Sequence, residues 1–246
     1  MARLKVLLTR CLFIAAALAM IQILVSRGTL SPLIVSKPTA VALALWQEIA
    51  GGEIPKLFLI TMGEVAISFG ISLVLGLGVG YFLWRYERWG VAYETLLGAV
   101  FGSPIILVYP IFLVIFGRSP AAVIAMGFLS GCIPIILGMR DGLVGVNRTL
   151  VRVGQSLNLS RRVIFWKIQL PAAAPTIFSG MRLGFTFTLV SVIGVEFLVE
   201  IGGLGKMVSA AYSRFQIDNM YAGITAIILL TMIFIAVSYN LQRRVK

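Results

Sequence analysis

The sequence predicts an all-α, polytopic membrane protein with about six membrane-crossing helices, on three observations. Hydrophobic residues make up 59% and charged residues 12% of 246 positions, with a mean hydropathy of +1.01. Soluble domains run near half apolar and a quarter charged. The apolar residues gather in runs of about twenty, the length a helix needs to cross a hydrocarbon core. The basic surplus, a formal charge of +12, sits between those runs, as the positive-inside rule expects. In a soluble chain such a charge would suggest nucleic acid. Here its placement points to membrane lipid and argues against a nucleic-acid partner.

A single transmembrane domain, 1–246, accounts for the whole pattern. Arg3, Lys5 and Arg10 precede the apolar run Cys11–Ser26. A secretory signal peptide also begins this way, but the run is long and no polar mature domain follows, so a retained first span over 7–26 is preferred. Residues 27–56 hold Pro32, Pro38 and Pro55 and read as an external loop with a short helix at Thr39–Ala50. The second span, 57–84, is interrupted by Glu64, carries Gly76-x-x-x-Gly80 and ends in Arg85-Tyr86-Glu87-Arg88. The third, 93–117, has Gly98-x-x-x-Gly102 and, in its interior, Pro104 and Pro110. Span four, 119–139, contains Pro134. Prolines at this depth free backbone carbonyls, which fits either a packing kink or a lined cavity. The fifth span, 172–199, holds Pro175, Gly180-x-x-x-Gly184, Arg182 and Glu196. A polar outer loop follows, and the sixth span, 219–241, ends at Arg243, Arg244 and Lys246.

Between spans four and five lies a basic island, residues 140–171. Val146, Leu150, Val153 and Leu157 recur at helical spacing on one stripe, with Arg148, Arg152 and Gln155 on another face. Asn147 suits an N-cap, and Asn158, tolerant of the left-handed conformation, suits a stop. Ser160 suits the cap of a second short helix with Arg161, Arg162, Trp166 and Lys167. Leu170-Pro171 is expected to break the chain before the next span. The island therefore reads as helix, turn, helix.

Charge fixes the expected orientation. With the N-terminus inside, fourteen Lys and Arg fall on inner segments and six on outer ones. Both termini and the island are expected to be cytoplasmic. Cys11 and Cys132 lie in apolar runs without metal-ligand spacing, and the absence of histidine excludes triads and imidazole metal sites. Gly202–Lys206 invites a phosphate-loop reading. It fails, because Glu200 stands where the first glycine belongs and Met207 follows the lysine.

Residues 153–171 resemble the cytoplasmic signature loop of bacterial ABC-importer permeases, E-A-A-x3-G-x9-I-x-L-P. Ile168-Gln169-Leu170-Pro171 matches I-x-L-P, Asn158 takes the glycine place, and Arg152, Val153 and Gly154 occupy the E-A-A places. The resemblance extends from about Leu57 onward and narrows to the nitrate, sulfonate and taurine branch. Pro104-x5-Pro110 with Phe116-Gly117 is similar to that branch's third span, as is KIQLPAAAPTIFSGMRLG from Lys167 to its L-P-A-A-L-P-x-I-x-x-G-L-R-x-G run. Glu196 precedes Gly203-Leu204-Gly205, as the branch's glutamate precedes G-L-G. Glu64 departs, since the branch usually has arginine there.

The resemblance implies a type I ABC-importer-like fold with a cytoplasmic coupling-helix loop in the bacterial inner membrane. It implies a transport subunit with no cofactor of its own, driven by ATP-Mg on two partner ATPase subunits. It further implies a second permease subunit, as homodimer or heterodimer, and an external substrate-binding protein. The residues expected to dock the ATPase are Arg148, Arg152, Val153, Gly154, Leu157, Asn158, Ile168, Leu170 and Pro171. Glu196, Glu64, Pro104 and Pro110 are candidates for the pathway or its gate. Two alternatives remain for Glu196, the translocation path or a hydrated helix end beside Glu200. For Glu64 they are pairing with Arg182, a basic group on a partner subunit, or solvation at the outer rim. Rival classes for the whole chain are an ion-driven secondary transporter and a non-catalytic membrane scaffold.

Overall fold

The structure is a computed structural model that describes the backbone of residues 2–243 and the side chains of residues 8–10 and 12–234. Arg244 and Lys246 lie outside the described residues, as do the side chains of Arg3, Lys5, Cys11 and Arg243. Helix follows helix throughout: α1 (Ala2–Ser26), α2 (Pro38–Ala50), α3 (Glu53–Arg85), α4 (Glu87–Gly102), α5 (Tyr109–Phe116), α6 (Pro120–Val144), α7 (Arg148–Ser156), α8 (Arg161–Ile164), α9 (Leu170–Val199), α10 (Leu204–Ser213) and α11 (Ile217–Arg243). Among the described residues there is no strand. Five helical stretches are long and apolar enough to cross a membrane, and a sixth results if α4 and α5 count as one bent span.

The core is a three-helix bundle with α6 in the middle and α3 and α9 against it. Lipid supplies no hydrophobic drive between helices, so close packing and interhelical hydrogen bonds must hold the bundle. Small residues supply the first. A Cβ on Gly138 of α6 would lie 2.6 Å from the Cα of Gly180, and one on Gly184 would lie 2.7 Å from the carbonyl oxygen of Gly131. On the other side, a Cβ on Gly80 would stand 2.6 Å from the Ile136 carbonyl. Hydroxyls supply the second. Ser68 and Ser72 of α3 lie 3.1 and 3.0 Å from the carbonyls of Ile124 and Phe128, and Ser191 donates to Ser130 at 2.7 Å. Val65, Val123, Met126, Leu189, Val192 and Val195 fill the space between. The glycines at 98 and 102 face open space, so that motif packs nothing within the chain.

The third span differs from its expectation. Its two halves meet at 90° instead of forming one rod. Pro104 has no N–H and pushes the preceding residue out of the helical region, so Ser103 is extended at φ −84°, ψ 155° and α4 stops at Gly102. A 3₁₀ turn over Ile105–Val108 leads into α5, where Pro110 sits in the first turn and breaks nothing. The short helix α2 begins at Pro38, one residue ahead of its expected start. It is tied to α11 by Asn219 donating to Glu48 at 3.2 Å and by a hydrogen bond from Ser36 to Asp218.

Candidate functional site

The basic island folds as the spacing predicts at its caps. Asn147 accepts from the Thr149 N–H at 2.8 Å to start α7, Asn158 ends the turn at φ +56°, and Ser160 accepts from the Val163 N–H at 3.4 Å to start α8. Each cap satisfies backbone groups that a helix of this length cannot pair internally. What holds α7 against its neighbour is Gly154. It is the buried residue of α7, and a Cβ there would lie 2.8 Å from Ile168 Cδ1 and 3.1 Å from Ile164 Cγ1. Of the apolar stripe, Val146 packs against the Met139–Leu143 cluster and the rest is left outside: Leu150 is 45%, Val153 53% and Leu157 68% exposed. Arg148 and Arg152 are exposed as well.

Leu170-Pro171 does not break the chain. A single π turn over Phe165–Gln169 closes with Leu170 N–H bonded to the Phe165 carbonyl, and Pro171 then falls in the first turn of α9. The π turn ahead of it shifts the backbone pairing to five residues back and so accommodates the N–H that Pro171 lacks. The helical path is therefore continuous from Arg161 to Val199. The hairpin is built onto the end of a membrane helix without a hinge.

At the opposite end of α9, Glu196 is fully buried. Its Oε1 accepts from the Thr61 hydroxyl at 2.7 Å and its Oε2 from the Gly205 N–H at 2.8 Å, while Thr61 Oγ1 accepts from the Leu204 N–H at 2.9 Å. The carboxylate thus sits at the N-terminus of α10, where unpaired N–H groups favour an anion. Gly203 permits this. A Cβ there would overlap Thr61 Oγ1 and lie 2.6 Å from Glu196 Oε1. The glycine turn that mimicked a phosphate loop holds an internal carboxylate instead. Hydration at a helix end does not fit a Glu196 that solvent does not reach. Glu200 takes the end position, in the left-handed conformation, with the Ser209 hydroxyl donating to it at 3.2 Å.

Glu64 is 5% exposed and lies against the Glu196 carboxyl and Gly202. The expected pairing with Arg182 does not form, since Arg182 is exposed on α9 and the described ion pairs both belong to Arg140, with Glu94 at 2.8 Å and Asp141 at 3.3 Å. Solvation at the rim is also excluded by its burial. Pro104 and Pro110 are exposed at the bend between α4 and α5, while Ile105 between them packs in the cluster that holds Val65, Val195 and Val199. A largely apolar cleft of about 320 Å³ opens between α9, α10 and α11, lined by Ile193, Gly194, Phe197 and Val208 among others. A second of about 310 Å³, with Glu48, Glu53, Lys206 and Arg214, lies between α2, the start of α3, α10 and α11.

Sequence reasoning did not find Thr61, the Gly131 and Gly138 stripe, or the Arg140–Glu94 pair. Thr61 stands three residues before Glu64, on one helix face, which is the signal that was there to read.

The family described as the binding-protein-dependent transport system inner membrane component matches residues 72–246, which include the hairpin, α9 and the glycine turn. The chain belongs to this family. It is the transmembrane permease subunit of an ABC importer, a multi-span inner membrane protein whose family works with ATPase and binding-protein partners. Two similar permeases are the taurine transport system permease protein TauC of Escherichia coli, 26% identical over 81% of this chain and 70% of its own, and the formylaminopyrimidine transport permease protein ThiX of Halalkalibacterium halodurans, 26% identical over 74% and 73%. The inward-facing MetNI methionine ABC transporter shares the fold, with a TM-score of 0.66 at 16% identity over 81% of this chain and 99% of that one.

Proposed function

We propose that this permease moves a small solute of the taurine, sulfonate or nitrate kind, or a related small molecule, handed over by an external binding protein. Two permease subunits, alike or different, form the pathway, and two cytoplasmic ATPases carrying ATP-Mg drive it. The observation that carries this reading is the outward-facing apolar stripe of α7, Leu150, Val153 and Leu157, on a hairpin whose own packing uses Gly154 instead. A soluble hairpin with no partner would turn that stripe inward. Arg148 and Arg152 flank it and meet acidic groups or helix C-termini of the ATPase. Leu170 and Pro171 carry the motion onward, because the π turn joins docking hairpin to α9 without a break. ATP-driven closure of the ATPases then rocks α9 and the bundle between inward-open and outward-open states.

The excess of basic residues on the segments joined to the hairpin supports a cytoplasmic location for it and for both termini. Glu196, Glu64 and the glycine turn fall at the other end of α9 and act as a structural clasp of the outer gate. Deleting residues 147–158 tests the docking reading. The ATPase is expected to be lost on co-purification while the spans keep their helicity; an ATPase that still co-purifies contradicts it.

A further inference from the structure

Two carboxyl groups meet in the packed region between α3, α9 and the start of α10, and their surroundings differ. Glu196 has donors on both oxygens, Thr61 on one and the Gly205 N–H on the other. Glu64 has none. Both of its oxygens are closed to solvent and lack a hydrogen-bond partner, the only described side-chain atoms in that condition.

The charged groups on the surrounding elements are engaged elsewhere or point away. Just past α9, Glu200 takes the Ser209 and Ser213 hydroxyls. On α10, Lys206 is exposed and lines the outer cleft with Glu48, Glu53 and Arg214. Arg118, before α6, donates to the Val199 carbonyl at 2.5 Å. Lys56, the lysine of α3, is exposed, and α6 brings Val123 and Met126 to this region. No described cation reaches Glu64 to offset its charge.

An ionised Glu64 would be unsolvated, unpaired and beside a like charge. One proton removes all three penalties. The neutral acid gains an O–H donor, and an ionised carboxylate oxygen that already accepts one bond has a lone pair left for a second. We infer that Glu64 and Glu196 form a proton-binding site, in which Glu64 is the neutral acid donating to an ionised Glu196 and so fastens the Gly202–Gly205 turn to α3. The asymmetry of donors assigns the proton: the oxygens that N–H and O–H groups already serve keep the charge. A guest larger than a proton would need room that a water-sized sphere does not find at either oxygen of Glu64.

The test is infrared spectroscopy of the whole chain reconstituted in lipid at neutral pH, comparing wild type with Glu64→Gln. The wild type is expected to show a carboxylic-acid C=O band, shifted down in D₂O and missing from Glu64→Gln. The amide of that variant donates to Glu196 in place of the acid, so its thermal midpoint stays within a few degrees of wild type. No acid band in the wild type, or the same band in Glu64→Gln, overturns the proposal. The wild-type spectrum decides the first point even where the variant fails to fold. ATPase co-purification is a separate readout, so failure here leaves the docking reading standing, and the reverse.

Discussion

Gly154 of α7 lies so close to Ile168 that a Cβ added to it would stand 2.8 Å from the Ile168 Cδ1 methyl. The contact seats the docking helix on the π turn that runs into α9. That methyl is the end of a flexible side chain, so a single added carbon is accommodated and a branched one is not. Gly154→Ala is expected to keep near-normal ATPase association. Gly154→Val is expected to tilt α7 off its seat and reduce association at least about tenfold, with unchanged helicity. Quantitative pull-down of the ATPase beside circular dichroism of the permease checks both.

Val153 and Leu157 are half or more exposed, so polar replacements cost the fold little, within about 0.5 kcal/mol. If a partner covers them, each contributes about 1.5–3 kcal/mol to that contact. Val153→Asp and Leu157→Asp are therefore expected to leave the thermal midpoint in place while weakening ATPase binding about tenfold or more each. Measuring stability and affinity on the same preparations separates the two effects.

Thr61 bridges α3, Glu196 and the first turn of α10 through one hydroxyl. Thr61→Val keeps the shape and removes both bonds, leaving the buried Leu204 N–H unpaired, at a cost of about 1–3 kcal/mol. Thr61→Ser is expected to recover most of that loss. Thermal unfolding of the purified variants measures it.

Gly138 and Gly98 both sit in membrane helices yet are predicted to behave oppositely. A Cβ on Gly138 would lie 2.6 Å from the backbone of Gly180, which has no side chain to yield, whereas Gly98 faces open space. Gly138→Leu is expected to separate α6 from α9, at a cost of about 3 kcal/mol or more. Gly98→Ala is expected to be neutral or slightly stabilising, by up to about 1 kcal/mol from helix propensity. Folded yield and unfolding midpoint of the two variants distinguish these outcomes.

The hairpin is legible in the sequence because its signals are local. Asn147, Asn158 and Ser160 each act on a backbone group within three residues, so their roles follow from spacing. Pro171 reads as a break but is not one, because a π turn five residues long absorbs the missing N–H, and nothing in the residue pattern announces that turn. Pro104 is visible, but the break it makes depends on Ser103 going extended, a choice between kink and corner that proline alone does not decide. Glu64 is the hardest to place. Its neighbour, Glu196, is 132 positions away on another helix, and pairing with the basic Arg182 is the electrostatically reasonable expectation. Tertiary packing puts Arg182 on the outside and leaves two like groups together.

The central claim, that the α7–α8 hairpin faces the cytoplasm and docks the ATPase, is tested most directly by a single cysteine. With Cys11 and Cys132 replaced by alanine, Val153→Cys is treated with a bifunctional thiol crosslinker in inside-out membrane vesicles. The expected result is a covalent permease–ATPase adduct, together with protection of the same thiol from a membrane-impermeant reagent added to intact cells. Labelling of that thiol from outside intact cells, with no adduct, would contradict the account.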